Sequence, residues 1–216
     1  MEKIKYVVWD WNGTLVDDVD CAVDTMNVLL SEHRLREPLS RREYKEHFCF
    51  PVRDYYQKLG FDVESPDFSK VAERFLEVYD QKHEECSLHE GVAEVMDELA
   101  KKGIGQIILS ASEKNNLIRQ VAGFQLDERV EEVLGIDDIY AASKAYLAKN
   151  WIERKGINPE QVLFIGDTVH DCEVAAGSGA HCLLIAKGHQ NREILEATGK
   201  TILASHHEII PYMESF

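Results

Sequence analysis

Three aspartates stand where short apolar runs end. Asp10 closes Tyr6-Val7-Val8-Trp9 and leads into Trp11-Asn12-Gly13-Thr14-Leu15. Asp167 follows Val162-Leu163-Phe164-Ile165-Gly166, with Asp171 four residues further on. A lone Asp after an apolar run is an ordinary turn former. Two acidic strand ends in one open parallel sheet, however, converge on the crevice beyond the carboxyl ends of the strands. Carboxylates crowded there disfavour one another's ionisation unless a cation joins them. Mg²⁺ suits such a set, because it takes oxygen ligands, keeps waters and joins one or two carboxylates to a substrate phosphate. The competing reading of the second pair is helix capping, with Asp167 or Thr168 as N-cap and Asp171 in the dipole-favoured first turn.

The periodicities supply a scaffold for such a site. Val19, Ala22, Val23, Met26, Leu29 and Leu30 recur at three- and four-residue steps, as do Phe68, Val71, Ala72, Phe75, Leu76 and Tyr79, which predicts two amphipathic helices. Shorter helices are expected around Arg41–His47 and Arg53–Leu59, broken by Pro51 and Gly60. From Asp18 to Cys86 no strand alternation occurs, and about seventy residues are too many for one crossover, so an inserted helical domain is expected. After His89 the chain alternates. A helix over Gly91–Lys102 precedes a strand at Gln106–Leu109, and a helix carrying Leu117, Ile118 and Val121 precedes a weak strand near Val133–Leu134. A helix through Tyr146–Lys155 then leads to strands at Val162–Ile165, Cys182–Ile185 and Thr201–Leu203, with a helix from about Val169 to Ala176 and a last one near His207–Met213. Repeated βα units imply an α/β fold, a doubly wound parallel sheet covered by helices on both faces. Residues 1–17 with 87–216 are the expected α/β core, and 18–86 the all-helical insertion.

Composition narrows the function classes. A net charge of −15 without a Lys/Arg stripe argues against nucleic-acid binding. No apolar stretch approaches the roughly 18 residues of a membrane helix. The N-terminus enters a strand with no signal-like segment, and Cys21, Cys49, Cys86, Cys172 and Cys182 form no C-x-x-C pair, so reduced packing cysteines and a cytoplasmic location are expected.

The segment Asp10-Trp11-Asn12-Gly13-Thr14-Leu15, Ser110 at a strand end, Lys144 before a helix and Gly166-Asp167-x-x-x-Asp171 resemble, in order, the four motifs of the haloacid dehalogenase superfamily. The resemblance spans nearly the whole chain and is closest to the phosphoglycolate phosphatase-like branch, whose Rossmann-like core carries a helical cap between the first two motifs. It implies a nucleophile at Asp10 that forms an aspartyl-phosphate, which water then hydrolyses. It further implies Mg²⁺ held by Asp10, the main-chain carbonyl of Asn12 and Asp167, with Asp171 acting through water. Phosphate would be held by Ser110, the main chain at Ala111, and Lys144. Ala145 stands where the family usually has Pro after the lysine, and Lys149 is a weaker alternative to Lys144. The expected partner is a small phosphorylated metabolite.

Asn12 departs from the pattern. Related phosphatases carry a second Asp there that protonates the leaving oxygen and activates water, and general acid–base catalysis contributes about 10²–10⁴-fold. An amide cannot exchange that proton, although its main-chain carbonyl survives. Asn12 would then belong to the catalytic set only in reduced form, and Asn12→Asp is expected to raise turnover of alkyl phosphates. Three functions stay open: a phosphatase using another proton source, a binding protein without turnover, or an enzyme whose leaving group needs no proton. The last resembles phosphonoacetaldehyde hydrolase, which uses a cap lysine, and Lys45 and Lys58 lie in the insertion. His170 is expected to solvate a helix end, Phe48, Phe50, Tyr55 and Tyr56 to pack in the insertion, and Arg53 is the first residue there to test for an anion contact.

Overall fold

The computed structural model describes residues 3–136 and 143–215. Numbered along the chain, its main sheet contains β1 (Tyr6–Trp9), β4 (Gly105–Glu113), β5 (Glu132–Ile136), β6 (Val162–Gly166), β7 (His181–Ile185) and β8 (Thr201–Leu203). Their order is β5-β4-β1-β6-β7-β8 and all pairs are parallel. Alternate side chains of the central strands serve two apolar cores, as expected where both faces of a parallel sheet are covered. Val7 and Trp9 join Leu163 and Ile165 under α5 (Val92–Lys101), α6 (Lys114–Gly123) and α10 (Ile209–Glu214). Val8 joins Val162 and Phe164 under α7 (Lys144–Lys155), α8 (Val169–Gly177) and α9 (Arg192–Glu196). From β1 the sheet grows outward through β4 and β5, then restarts on the other side with β6, so the crevice opens at the carboxyl end of β1.

Between β1 and β4 lie α1 (Val19–His33), α2 (Arg41–His47), α3 (Val52–Lys58) and α4 (Phe68–His83). They share a third core of their own, built from Val19, Met26, Leu29, Leu30, Tyr44, Tyr55 and Tyr56 among others. The chain passes into and out of these helices through an antiparallel ribbon, β2 (Val16–Asp17) and β3 (Ser87–Leu88), with Val16 opposite Leu88. The sequence offers no signal for it, because two-residue strands have no periodicity to read.

Other elements differ in extent. β4 runs on to Glu113, four residues past the expected Leu109, with its register to β5 shifting between those two residues. That extension carries Ser110–Ser112 beyond the part of β4 paired to β1. Leu76 on α4 and Ile118 on α6 are 54% and 44% exposed. Both continue an apolar stripe yet sit at its margin, since a surface helix buries only the strip facing its neighbour.

Candidate active site

The four strand ends around β1 build the site. Asp10 continues β1, its N–H donating to the carbonyl of Ile165 on β6 (2.9 Å). Asp167 ends β6 with both carboxylate oxygens engaged: Oδ1 accepts from the Thr14 hydroxyl (2.9 Å) and Oδ2 from the N–H of His189 (2.6 Å). Backbone passes so close that a Cβ on Gly188 would lie 2.0 Å from Asp167 Oδ2, and one on Gly13 2.5 Å from it. Gly13 also has φ +75°, so the turn after the first motif requires glycine on both counts. Asp171 divides its oxygens. Oδ2 accepts from the N–H (3.0 Å) and hydroxyl (2.7 Å) of Thr168, the N-cap of α8, and Oδ1 accepts from Lys144 Nζ (2.6 Å). Capping and site-building thus use opposite sides of one carboxylate.

Lys144 opens α7, behind the Ser143 cap whose Oγ accepts from the N–H of Tyr146 (3.2 Å). Its buried ammonium bridges Asp10 and Asp171. Lys149, by contrast, lies exposed 3.9 Å from Glu153. Carboxylate oxygens of Asp10, Asp167 and Asp171 all fall within 4.8 Å of one another. One buried cation among three acids leaves an excess of negative charge. Burial, with Asp171 nearby, pushes Asp10 up despite Lys144. Burial and the charges of Asp10 and Asp171 push Asp167 up to about 8, against the pull of His189. Asp171 stays below the ordinary carboxylate range, because contact with Lys144 and Thr168 outweighs its burial. Hard oxygen donors, incompletely neutralised and open to solvent only at Asp10, fit a divalent cation such as Mg²⁺.

Beside this cluster stands a second network. Asn12 Nδ2 donates to Asp18 Oδ2 (3.0 Å) and to the Tyr79 hydroxyl (2.8 Å), while its Oδ1 accepts from Ser112 Oγ (3.1 Å). Asp18 also accepts from the N–H of Gly13 (2.7 Å) and the Tyr79 hydroxyl (2.5 Å), and lies 3.2 Å from His189 Nε2. Burial opposes the Asp18 charge, but the His189 imidazolium and the bonds from His189, Tyr79 and Asn12 hold its pKa down at about 2. Reciprocally, Asp18 outweighs burial and raises His189 to about 9. His189 Nδ1 meets the Tyr44 hydroxyl at 2.9 Å. Asp18, Tyr79, Tyr44, Thr14, Ser112 and His189 were not singled out from the sequence. The one available signal was Gly188-His189, which follows β7 and so occupies another strand end on the same edge.

Ser110 is buried, donates to Ser112 Oγ (3.0 Å) and accepts from the N–H of Ser112 (3.1 Å), whereas the Ala111 side chain is exposed. His170 pairs with Glu173 (3.2 Å) and stacks on Phe50, ring centres 4.5 Å apart. Phe48 lies 5.1 Å from the His189 ring, and its carbonyl accepts from Gln190 Nε2 (3.0 Å). Phe48 and Phe50 therefore contact histidines of the α/β part, whereas Tyr55 and Tyr56 pack within the insertion as expected. Arg53 stays within the insertion, donating to the Val63 carbonyl (2.6 Å) and pairing with Glu64 (2.9 Å).

Two more imidazoles hold the Gly13-Thr14 turn. His89 Nε2–H donates to the Gly13 carbonyl (3.0 Å) and His206 Nε2–H to that of Thr14 (2.8 Å), since a carbonyl can only accept. Burial is the main cause lowering His206 from 6.5 to about 4. The unfolded chain therefore binds more protons than the folded one between those values, so stability falls as pH drops from 6.5 toward 4. The loss at full protonation is on the order of 3 kcal/mol. Urea midpoints at pH 7 and pH 5 should show a smaller drop for His206→Gln than for wild type; equal drops would assign the titration elsewhere.

Residues 7–185 match the haloacid dehalogenase-like hydrolase family, and the chain belongs to it. It is a hydrolase of that family, with the doubly wound core expected of it. Among curated relatives, a phosphoglycolate phosphatase of Pseudomonas savastanoi pv. phaseolicola is 26% identical over 96% of this chain and 79% of its own length. A 5′-nucleotidase of Pseudomonas aeruginosa is 24% identical over 88% of this chain and 86% of its own. A haloacid dehalogenase-like hydrolase from Streptococcus pneumoniae superposes with a TM-score of 0.84 at 18% identity, covering 98% of this chain and 99% of that one. One from Geobacter sulfurreducens gives 0.66 at 19% identity, covering 97% and 96%. No described helix is long and apolar enough to cross a membrane.

Proposed function

We propose that this chain is a Mg²⁺-dependent, cytoplasmic phosphatase that hydrolyses a small phosphorylated metabolite, of the phosphoglycolate kind, through an aspartyl-phosphate on Asp10. The observation that carries this reading is the convergence of the Asp10, Asp167 and Asp171 carboxylates at the ends of β1 and β6, with the buried Lys144 ammonium bridging Asp10 and Asp171. Residues 18–86 act as the cap of this reading, and the β2–β3 ribbon as its joint. Asp10, the Asn12 carbonyl and Asp167 would hold Mg²⁺, with Asp171 acting through water. When bound, the ion supplies positive charge against the phosphoryl oxygens. Lys144 adds the fixed ammonium that offsets phosphoryl charge, while Ser110 and the main chain at Ala111 offer hydrogen bonds to its oxygens. Asp10 attacks phosphorus as the ester P–O bond breaks, and the leaving oxygen takes its proton from a water molecule because Asn12 has none to give. A second water then attacks the aspartyl-phosphate at phosphorus, releasing phosphate and returning the Asp10 carboxylate. The near-complete burial of Asp167, Asp171 and Lys144 favours a compact substrate enclosed away from bulk water.

Phosphate release from a metabolite panel, with and without Mg²⁺ and with Asp10→Asn as blank, tests the reading. Mg²⁺ is also expected to raise the Tm, because it binds the folded state, and the shift should shrink strongly in Asp167→Asn. An equal Mg²⁺ response in the two proteins removes the metal site from this account.

A second reading rests on Lys45. It is half-buried on α2, burial lowers its pKa, and among the described residues it has no ion pair although Asp167 acts on it electrostatically. An amine whose ammonium is disfavoured by burial, within electrostatic reach of Asp167, is the direction a Schiff-base phosphonate hydrolase needs. Lys58, bonded to Cys49 Sγ (3.0 Å) on the exposed side of α3, is not comparable. Borohydride reduction in the presence of phosphonoacetaldehyde should then add mass at Lys45; an unmodified Lys45 rejects this alternative.

A further inference from the structure

The amide at position 12 has a physical reason in its surroundings. Asp18 is 1% exposed, and its two oxygens face donors from three parts of the molecule. Gly13 N–H and Asn12 Nδ2 come from the turn after the nucleophile, the Tyr79 hydroxyl from α4, and His189 Nε2 from the segment after β7. A carboxylate at position 12, in the place of the amide, would stand 3.0 Å from the Asp18 carboxylate. It would also withdraw the only N–H group with which Asn12 side-chain contacts reach Asp18 and Tyr79. Like charges at that separation, inside protein, cannot both persist.

We propose that Asp18 is the positioning residue of the Asn12–Gly13 turn and that it dictates the amide at position 12, so that the second acid of the motif stands at 18 instead. Asp18 fixes this turn by gripping both the Asn12 side chain and the Gly13 N–H. The Asn12 carbonyl keeps its direction through this grip, and the Tyr79 bond makes it depend on α4 being in place. Amide and carboxylate are nearly isosteric, so the pair can be exchanged. With Asp at 12 and Asn at 18, the side chains still bond each other, Ser112 still has an acceptor at 12, and Gly13 N–H still has an oxygen at 18; only His189 loses its charged partner. The sequence-based expectation for Asn12→Asp alone is thereby reversed: in the single variant the two acids share one proton that Asp18 holds in place, and only the exchange leaves an acid at 12 with no second carboxylate beside it. The turnover part of this inference rests on the phosphatase reading; the pairing does not.

The test is a cycle of wild type, Asn12→Asp, Asp18→Asn and the double variant. Metal-free melting in EDTA comes first. Each single substitution should lower the Tm by roughly 5 °C or more, and the double variant should melt above either single one but below wild type, because the exchange restores the 12–18 bond while leaving His189 without its carboxylate. An Asn12→Asp protein as stable as wild type, or a double variant no more stable than the worse single one, overturns the proposal. Turnover separates positioning from mere stability. With Mg²⁺ present, Asn12→Asp alone should gain nothing, whereas the double variant should hydrolyse an alkyl phosphate up to about 10²-fold faster than wild type, with little change on an activated aryl phosphate. A gain in Asn12→Asp equal to that of the double variant overturns the role of Asp18. If the stability cycle closes while no protein of the set, wild type included, releases phosphate, the pairing stands and the phosphatase reading falls.

Discussion

Lys144→Met is expected to lower the metal-free Tm by roughly 10 °C. The ammonium bridges Asp10 and Asp171 at 5% side-chain exposure, and those acids are themselves 12% and 4% exposed. Removing one partner of a buried ion pair costs about 3–5 kcal/mol, because the other charge is left without compensation. For a chain of this size that corresponds to roughly 2–4 °C per kcal/mol. The loss has a pH signature. Carboxylates that lose their cation take up protons more readily, so the deficit should be larger at pH 8 than at pH 6, where protonation relieves it. Mg²⁺ should recover part of the loss by replacing one buried cation with another. Thermal scans at the two pH values, with EDTA or Mg²⁺, check all three statements. A Tm unchanged in EDTA at pH 8 would mean that Lys144 does not neutralise the acids in solution.

Asp10→Asn should act with the opposite sign on stability and the largest effect on activity. Burial and Asp171 raise the Asp10 pKa, so the fold resists the charge that a nucleophile needs. A neutral amide relieves that crowding and leaves Lys144 to Asp171, so the metal-free Tm should rise by a few degrees while turnover falls about 10⁴-fold or more. Such a trade of stability for a strained, charged site is common where function requires it. The Mg²⁺-dependent Tm shift should contract together with activity, since the same carboxylate serves both. Should Asp10→Asn lose as much Tm as Lys144→Met, the acids are not in excess, and the charge balance drawn here is wrong.

The sequence by itself determined the scaffold and the acids. Asp10, Asp167 and Asp171 were legible because each follows or closely trails a run of buried β residues, and strand ends in a parallel sheet share one edge. The helices between β1 and β4 were legible because helical periodicity marks Val19–Leu30 and Phe68–Tyr79 and no strand alternation falls between them. Tertiary structure alone decided what neutralises what. The motif order already favoured Lys144 over Lys149, but that its ammonium bridges Asp10 and Asp171 depends on the first turn of α7 facing β1. Asn12 was legible as the departure from the motif, whereas Asp18, Tyr79 and His189 read as cap, core or loop residues. They become a network only when the start of α1, the middle of α4 and the segment after β7 meet at the first turn. Contacts among residues that far apart leave no periodicity in the chain, and a charge such as that of Asp18 is fixed by donors brought from elsewhere in the fold.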